Sequence, residues 1–210
     1  MSKKMYTHSK EMLEELRPEV ALDILKKGNE RFVNNLRVQR NLLSQRNETS
    51  NGQYPFAAIL SCMDSRTSAE LVFDQGLGDI FSIRIAGNVL NADILGSMEY
   101  ATKVAGSKII VVLGHTRCGA ISGACDHVQM GNLTGLLEKI QPAIEQETQT
   151  TGNRTSKNEE FVTRVTKLNV QHTIEEIREQ SAIIAELEKD GSILIAGGLY
   201  DLDSGVVEFF

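Results

Sequence analysis

Two short stretches concentrate the side chains that could do chemistry. Ser61-Cys62-Met63-Asp64-Ser65-Arg66 sets a thiol, a carboxylate and a guanidinium at alternate positions, and Gly114-His115-Thr116-Arg117-Cys118-Gly119 places an imidazole just before a second thiol. Each follows an apolar run, Phe56 to Leu60 and Ile109 to Leu113, of the kind that forms a buried strand and delivers polar residues at its carboxyl end. Cys62, Asp64, His115 and Cys118 together offer the sulfur, nitrogen and oxygen donors that zinc prefers. A cysteine on its own is often a small buried hydrophobe, and a lone loop histidine is more often a hydrogen-bonding group. It is Cys-x-Asp-x-Arg joined to His-x-x-Cys that favours ligands. Cys125 has no such partner and is expected in the core. His8, His127 and His172 lie among polar residues and are expected to face solvent.

The elements that must position these groups follow from pattern. Pro18 stands at a good first position for a helix through about Asn35, with Leu22, Leu25, Phe32 and Leu36 near one face. Gly28-Asn29 interrupts that helix, either for a close contact or because the helix tolerates it. Residues 41–53 are polar and read as an irregular connection. After the strand ending at Cys62, Thr67-Ser68-Ala69-Glu70 resembles a capping box for a short helix through Phe73. Asp79 to Ala86 alternates as a strand, Gly87-Asn88 breaks it, and Asp93 to Val104 has helical spacing in Ile94, Met98, Ala101 and Val104. Cys118-Gly119 opens a further helix, whose free N–H groups would favour a thiolate and an incoming anion. Residues 146–158 read as a surface loop, and a helix-rich segment runs on to Lys189. Ser192 to Ala196 reads as a strand, Asp201 to Gly205 as a turn, and Val206 to Phe210 as an edge strand.

Strands separated by helices imply right-handed crossovers and a parallel sheet whose ligands sit beyond the strands' carboxyl ends. The expectation is one α/β domain over residues 1–210, with an N-terminal helical arm over 1–50 and an α/β core over 54–210. Its central sheet is mostly parallel, four parallel strands plus a C-terminal antiparallel edge strand, flanked by helices.

With 210 residues, 41% hydrophobic and 24% charged, the composition is that of an ordinary soluble protein with a real core. A net charge of -6 argues against nucleic acid or an anionic membrane as partner. Three cysteines do not make a disulfide framework and point to reduced thiols in the cytoplasm. No apolar run is long enough to span a bilayer. Cys62 and Arg66 stand too close together for a phosphatase loop, and no strand is followed by the glycine fingerprint of a dinucleotide fold.

The residues resemble the β-class carbonic anhydrases over nearly the whole chain. The likeness runs from Gly28-Asn29-Glu30-Arg31-Phe32 through both motifs, Arg84-Ile85-Ala86-Gly87-Asn88 and Glu99-Tyr100-Ala101 to Gly198-Leu199-Tyr200-Asp201. The resemblance implies one Zn2+ per chain on Cys62, His115 and Cys118, with Asp64 and Arg66 as a catalytic pair. Asp64 either joins the zinc or pairs with Arg66. Gln53, Phe81, Ala86 and Tyr100 match substrate-facing positions, and the Gly119 N–H could orient bicarbonate. The implied reaction is reversible hydration of CO2 to bicarbonate and a proton by zinc-bound hydroxide, in a dimer or tetramer whose neighbouring subunits share the pocket. Two thiolates donate more charge than histidines would and should raise the pKa of the bound water. Hydrolysis of CS2 or COS, or a non-catalytic zinc-stabilised binding role, are the alternatives. Some bacterial members carry a non-catalytic bicarbonate site built partly from a tryptophan; this chain has Ile59 there and no Trp, so that site is not expected.

Overall fold

The computed structural model describes residues 7–210. At its centre is a five-stranded sheet in the order β2-β1-β3-β4-β5. The strands are β1 (Ala57–Ser61), β2 (Ile80–Arg84), β3 (Ile109–His115), β4 (Leu194–Tyr200) and β5 (Val207–Phe209). β2, β1, β3 and β4 are parallel, and β5 closes the edge antiparallel to β4. β1 and β3 are buried along their whole length, which is why they read as unbroken apolar runs rather than alternating ones.

Helices cover both faces. α1 (Lys10–Glu15), α2 (Pro18–Val33) and α4 (Ala69–Val72) lie on the face of Ala57, Ile59 and Val111. α5 (Ala92–Glu99), α9 (Glu159–Gln180) and α10 (Ala182–Lys189) cover that of Ala58, Leu60 and Val112. A third cluster gathers α6 (Gly119–Cys125), α7 (Gly131–Glu138), α8 (Gln141–Gln146) and the start of α9 around Cys62 and Cys118.

Gly28 marks a close contact. A Cβ there would lie 1.8 Å from the Phe73 carbonyl oxygen, so only glycine lets α2 meet the end of α4. Its neighbour Asn29 donates from Nδ2 to Val72 O and Gly205 O and accepts from Val207 N–H, tying α2 to α4 and to the start of β5. Asp74 ties the arm down again, with Arg31 Nε and Arg40 Nη1 each 2.5 Å from its carboxylate.

Several boundaries differ from the sequence expectation. α2 ends at Val33, and Leu36 lies beyond it, 69% exposed. Residues 42–49 are helical, not irregular: α3 (Leu42–Thr49) is capped by Asn41, whose side chain accepts from Ser44 N–H, and is docked through buried Gln45 onto Leu77 N–H. Only one of its residues is buried, so it has no apolar stripe to read. α4 starts after Ser68, because the Thr67 hydroxyl is engaged upstream with Cys62 O and Asp64 O. β2 stops at Arg84, and Ala86 sits in a 3-10 turn, Ala86–Asn88. The helix expected to Val104 opens into a π-turn over Tyr100–Val104, where Ala105 N–H reaches back to Tyr100 O, leaving Tyr100 and Val104 exposed. β4 begins at Leu194 and extends to Tyr200.

Candidate metal centre

Cys62 is the first residue after β1, His115 the last of β3, and Cys118 the N-cap of α6. Parallel pairing of β1 with β3 brings the three to one edge of the sheet. All are buried, their ligand atoms lie within 4.8 Å of one another, and they are the one metal-capable cluster of His, Cys, Asp and Glu among the described residues. The two sulfurs are 3.9 Å apart. A tetrahedral ion about 2.3 Å from each would set them roughly 3.8 Å apart.

The histidine is oriented for the same purpose. Its Nδ1–H donates to Thr116 O at 2.9 Å, which leaves the Nε2 lone pair free. Nε2 is buried and has no hydrogen-bond partner among the described residues. A buried, unpaired imidazole nitrogen beside two sulfurs fits a metal. The loop carrying it is braced on the turn after β4: Thr116 N–H donates to Tyr200 O, and the Thr116 hydroxyl accepts from Leu202 N–H. Arg117 pairs with Asp203 on that turn.

A hydrogen bond links the two thiols, whose sulfurs lie 3.9 Å apart. Hydrogen bonding from Cys118, opposed by burial, brings Cys62 down to about 4, with His115 and the Gly87 and Asp64 N–H groups adding to the effect. Cys118, keeping the proton it gives to Cys62 and buried besides, is pushed up. A cation would replace that proton.

Asp64 is held by Arg66 at the border of the cluster. Its carboxylate accepts Arg66 Nε at 2.9 Å, Nη2 at 2.7 Å and the Arg66 backbone N–H at 2.9 Å, and Oδ2 stays 3.9 Å from His115 Nε2. Those Arg66 bonds hold the carboxyl well below the usual carboxylate range, against partial burial. Arg84 fixes the stretch from outside, donating to Cys62 O at 3.3 Å and Asp64 O at 2.6 Å. Ala86 lies in the turn whose Gly87 N–H reaches Cys62, and Gly119 is exposed in the first turn of α6.

Gln53, Phe81 and Tyr100 lie elsewhere. They line one cleft of about 370 Å3 with Tyr54, Gly106 and Lys108, at the amino end of β1 and β3. Phe81 is paired with Ala58, and Ala58 to Cys62 spans about 13 Å of strand. The chain therefore separates these three residues from the sulfurs. Phe81 and Tyr100 meet edge to face, centroids 6.3 Å apart, beside the open edge of β2.

Among the other residues weighed from sequence, Cys125 is buried among Ile121, Leu137 and Phe161. His8 is half-buried against the Phe56 ring, at 5.1 Å, rather than solvated as expected. His127 is exposed. Thr116, Arg84 and Asn169, which donates to Gly87 O, were missed or given no role in the site, since nothing local in the sequence marks a contact made across the fold.

The likeness to known proteins is in family and fold. Residues 57–207 match the family model described as carbonic anhydrase. Carbonic anhydrase 2 of Mycobacterium tuberculosis (strain ATCC 25618 / H37Rv) is 39% identical over 197 residues, covering 90% of each chain. The carbonic anhydrase of Mycolicibacterium smegmatis is 34% identical over 200 residues, covering 91% of this chain and 92% of its own. Among solved structures, the β-carbonic anhydrase CafA of Aspergillus fumigatus superposes with a TM-score of 0.72 at 24% identity, over 91% of this chain and 89% of its own. A structure from a study of two tetrameric β-carbonic anhydrases of Sordaria macrospora gives 0.71 at 23%, over 78% and 84%. The chain belongs to the carbonic anhydrase family and has the β-class fold. It is accordingly an enzyme of the carbonic anhydrase type. No helix among the described residues is long and apolar enough to cross a membrane.

Proposed function

We propose that this chain catalyses the reversible hydration of CO2 to bicarbonate and a proton with one zinc ion held by Cys62, His115 and Cys118. The observation that carries the reading is the bidentate hold of Arg66 on Asp64 beside a three-donor cluster, which keeps a fourth protein ligand away and leaves a position for water. Bound there, zinc would supply the Lewis acidity that brings a water's pKa down toward about 7.

The chain's own groups do the rest. Asp64, kept ionised by Arg66, accepts a hydrogen bond from the attacking water and so aims the oxygen lone pair at the CO2 carbon. Ala86 forms an apolar wall, and the Gly119 N–H, at the start of α6 with no intrahelical partner, donates to the developing bicarbonate. Phe81, Tyr100 and Gln53 complete the pocket from a second copy, since one chain puts them at the opposite end of its sheet. The exposed Tyr100 and the unpaired β2 edge support a homodimer or larger assembly. Three free cysteines accord with a reducing, cytoplasmic setting.

The test is CO2 hydration by stopped flow on the same preparation before and after chelation, beside a CS2 hydrolysis assay. Chelator-sensitive CO2 hydration is expected. Turnover of CS2 alone, or a zinc-loaded protein inactive on both, would overturn the assignment.

A further inference from the structure

We propose that Asn169 is a positioning residue for the metal centre, acting through the Gly87-Asn88 turn on the Cys62 sulfur; the inference rests on the zinc reading of that cluster. The turn is seated beside Cys62, since Ile85 N–H, at its start, donates to Ser61 O at 3.1 Å, and the Gly87 N–H is among the groups that act on the Cys62 thiol. The turn that aims this N–H is not self-supporting, because Gly87 at φ 68° and Asn88 at φ 43° both sit in the left-handed region, which Asn88 adopts at a conformational cost. Something must hold it from behind.

That hold comes from α9. Asn169 Nδ2 donates to Gly87 O at 2.9 Å, and one turn further on the Thr173 hydroxyl reaches Asn88 O at 3.4 Å. From the other side, Asn88 N–H closes the turn onto Ile85 O, and Ile140 and Ala120 wall it so tightly that a Cβ on Gly87 would lie 3.0 and 3.3 Å from them. The turn has one seat, and Asn169 pins its central carbonyl. Ala86 is in the same turn, so a displacement would move both a sulfur's hydrogen-bond donor and the pocket wall.

The side chain is a costly choice for the core. Asn169 is 1% exposed, its neighbours Val165 and Val170 are apolar, and its Oδ1 has no hydrogen-bond partner among the described residues. Its orphaned Oδ1 costs the fold while its Nδ2 satisfies Gly87 O, so leucine would exchange one unpaired buried acceptor for another. A half-satisfied amide kept in the core beside a metal site points to a role at that site. Hydrogen bonds that orient a ligand commonly set metal affinity by about tenfold or more.

The experiment compares the full chain with Asn169→Leu and Asn169→Asp, both of asparagine's branched outline and both lacking the donor. Zinc affinity is measured by competition with a chromogenic chelator, the thiolate charge-transfer band by cobalt substitution, and the melting temperature in excess zinc. Asn169→Leu is expected to fold and melt cooperatively in excess zinc while binding zinc about tenfold or more weakly, with a shifted cobalt band. Equal zinc affinity and an unmoved band overturn the proposal. So does failure of both variants to fold, because the amide would then be structural. A parent that binds no zinc sinks the underlying reading instead, and the parent measurement alone shows it.

Discussion

Arg66 grips Asp64 edge-on, its Nε at 2.9 Å from Oδ1 and its Nη2 at 2.7 Å from Oδ2. The planar fork fixes both the place and the plane of the carboxylate, which a point charge cannot do. Arg66→Ala is expected to keep its zinc and its melting temperature and to lose CO2 hydration by at least about tenfold, with Arg66→Lys recovering only part. Near-parental turnover at full zinc occupancy would end the orienting role, and loss of activity in step with loss of zinc would make Arg66 merely structural.

X-ray absorption at the zinc edge should show two sulfur neighbours at about 2.3 Å in the parent. Cys118→Ser should reduce these to one and weaken zinc retention on dialysis. A spectrum that does not change with Cys118 removes it from the ligand set.

Light scattering should return at least twice the 23.2 kDa chain mass. Phe81→Asp, which charges the cleft at the open β2 edge, should lower both the mass and the turnover while leaving the metal cluster intact. A monomer with full activity would refute the shared pocket.

Asp74 carries a pH prediction. Burial pushes its carboxyl up, but hydrogen bonds from Arg31 and Arg40 prevail and the net direction is down. A carboxyl depressed in the folded state stabilises above its unfolded value, about 3.9, and that contribution disappears as pH falls through the folded value. Asp74→Asn should therefore cost about 3 kcal/mol at pH 7, leaving the buried Arg40 without its carboxylate, with the gap in urea midpoint narrowing below about pH 4. A gap independent of pH would show that the ion pairs do not supply the stability.

Much of this was legible in advance. The parallel strands announced themselves as apolar runs because both faces of β1 and β3 are covered, and the candidate donors stood out because both motifs sit where those strands end. Gly28 was flagged as an interruption, but the Phe73 carbonyl that requires it lies on α4, out of reach of any local pattern. α3 escaped notice because it is held by polar contacts through Asn41 and Gln45. The separation of Gln53, Phe81 and Tyr100 from the sulfurs depends on strand direction and register, which motif matching does not convey.

That separation has a genetic corollary. In the proposed shared pocket, with sulfurs at one edge of the sheet and the aromatic cleft at the other, the Cys62 and the Tyr100 of one chain would serve different pockets. In a mixed dimer of the two alleles, one pocket collects both defects and the other collects neither. Two inactive alleles would then restore each other when co-expressed, whereas two lesions on the same half would not, and dominance between alleles would follow from which edge each one touches.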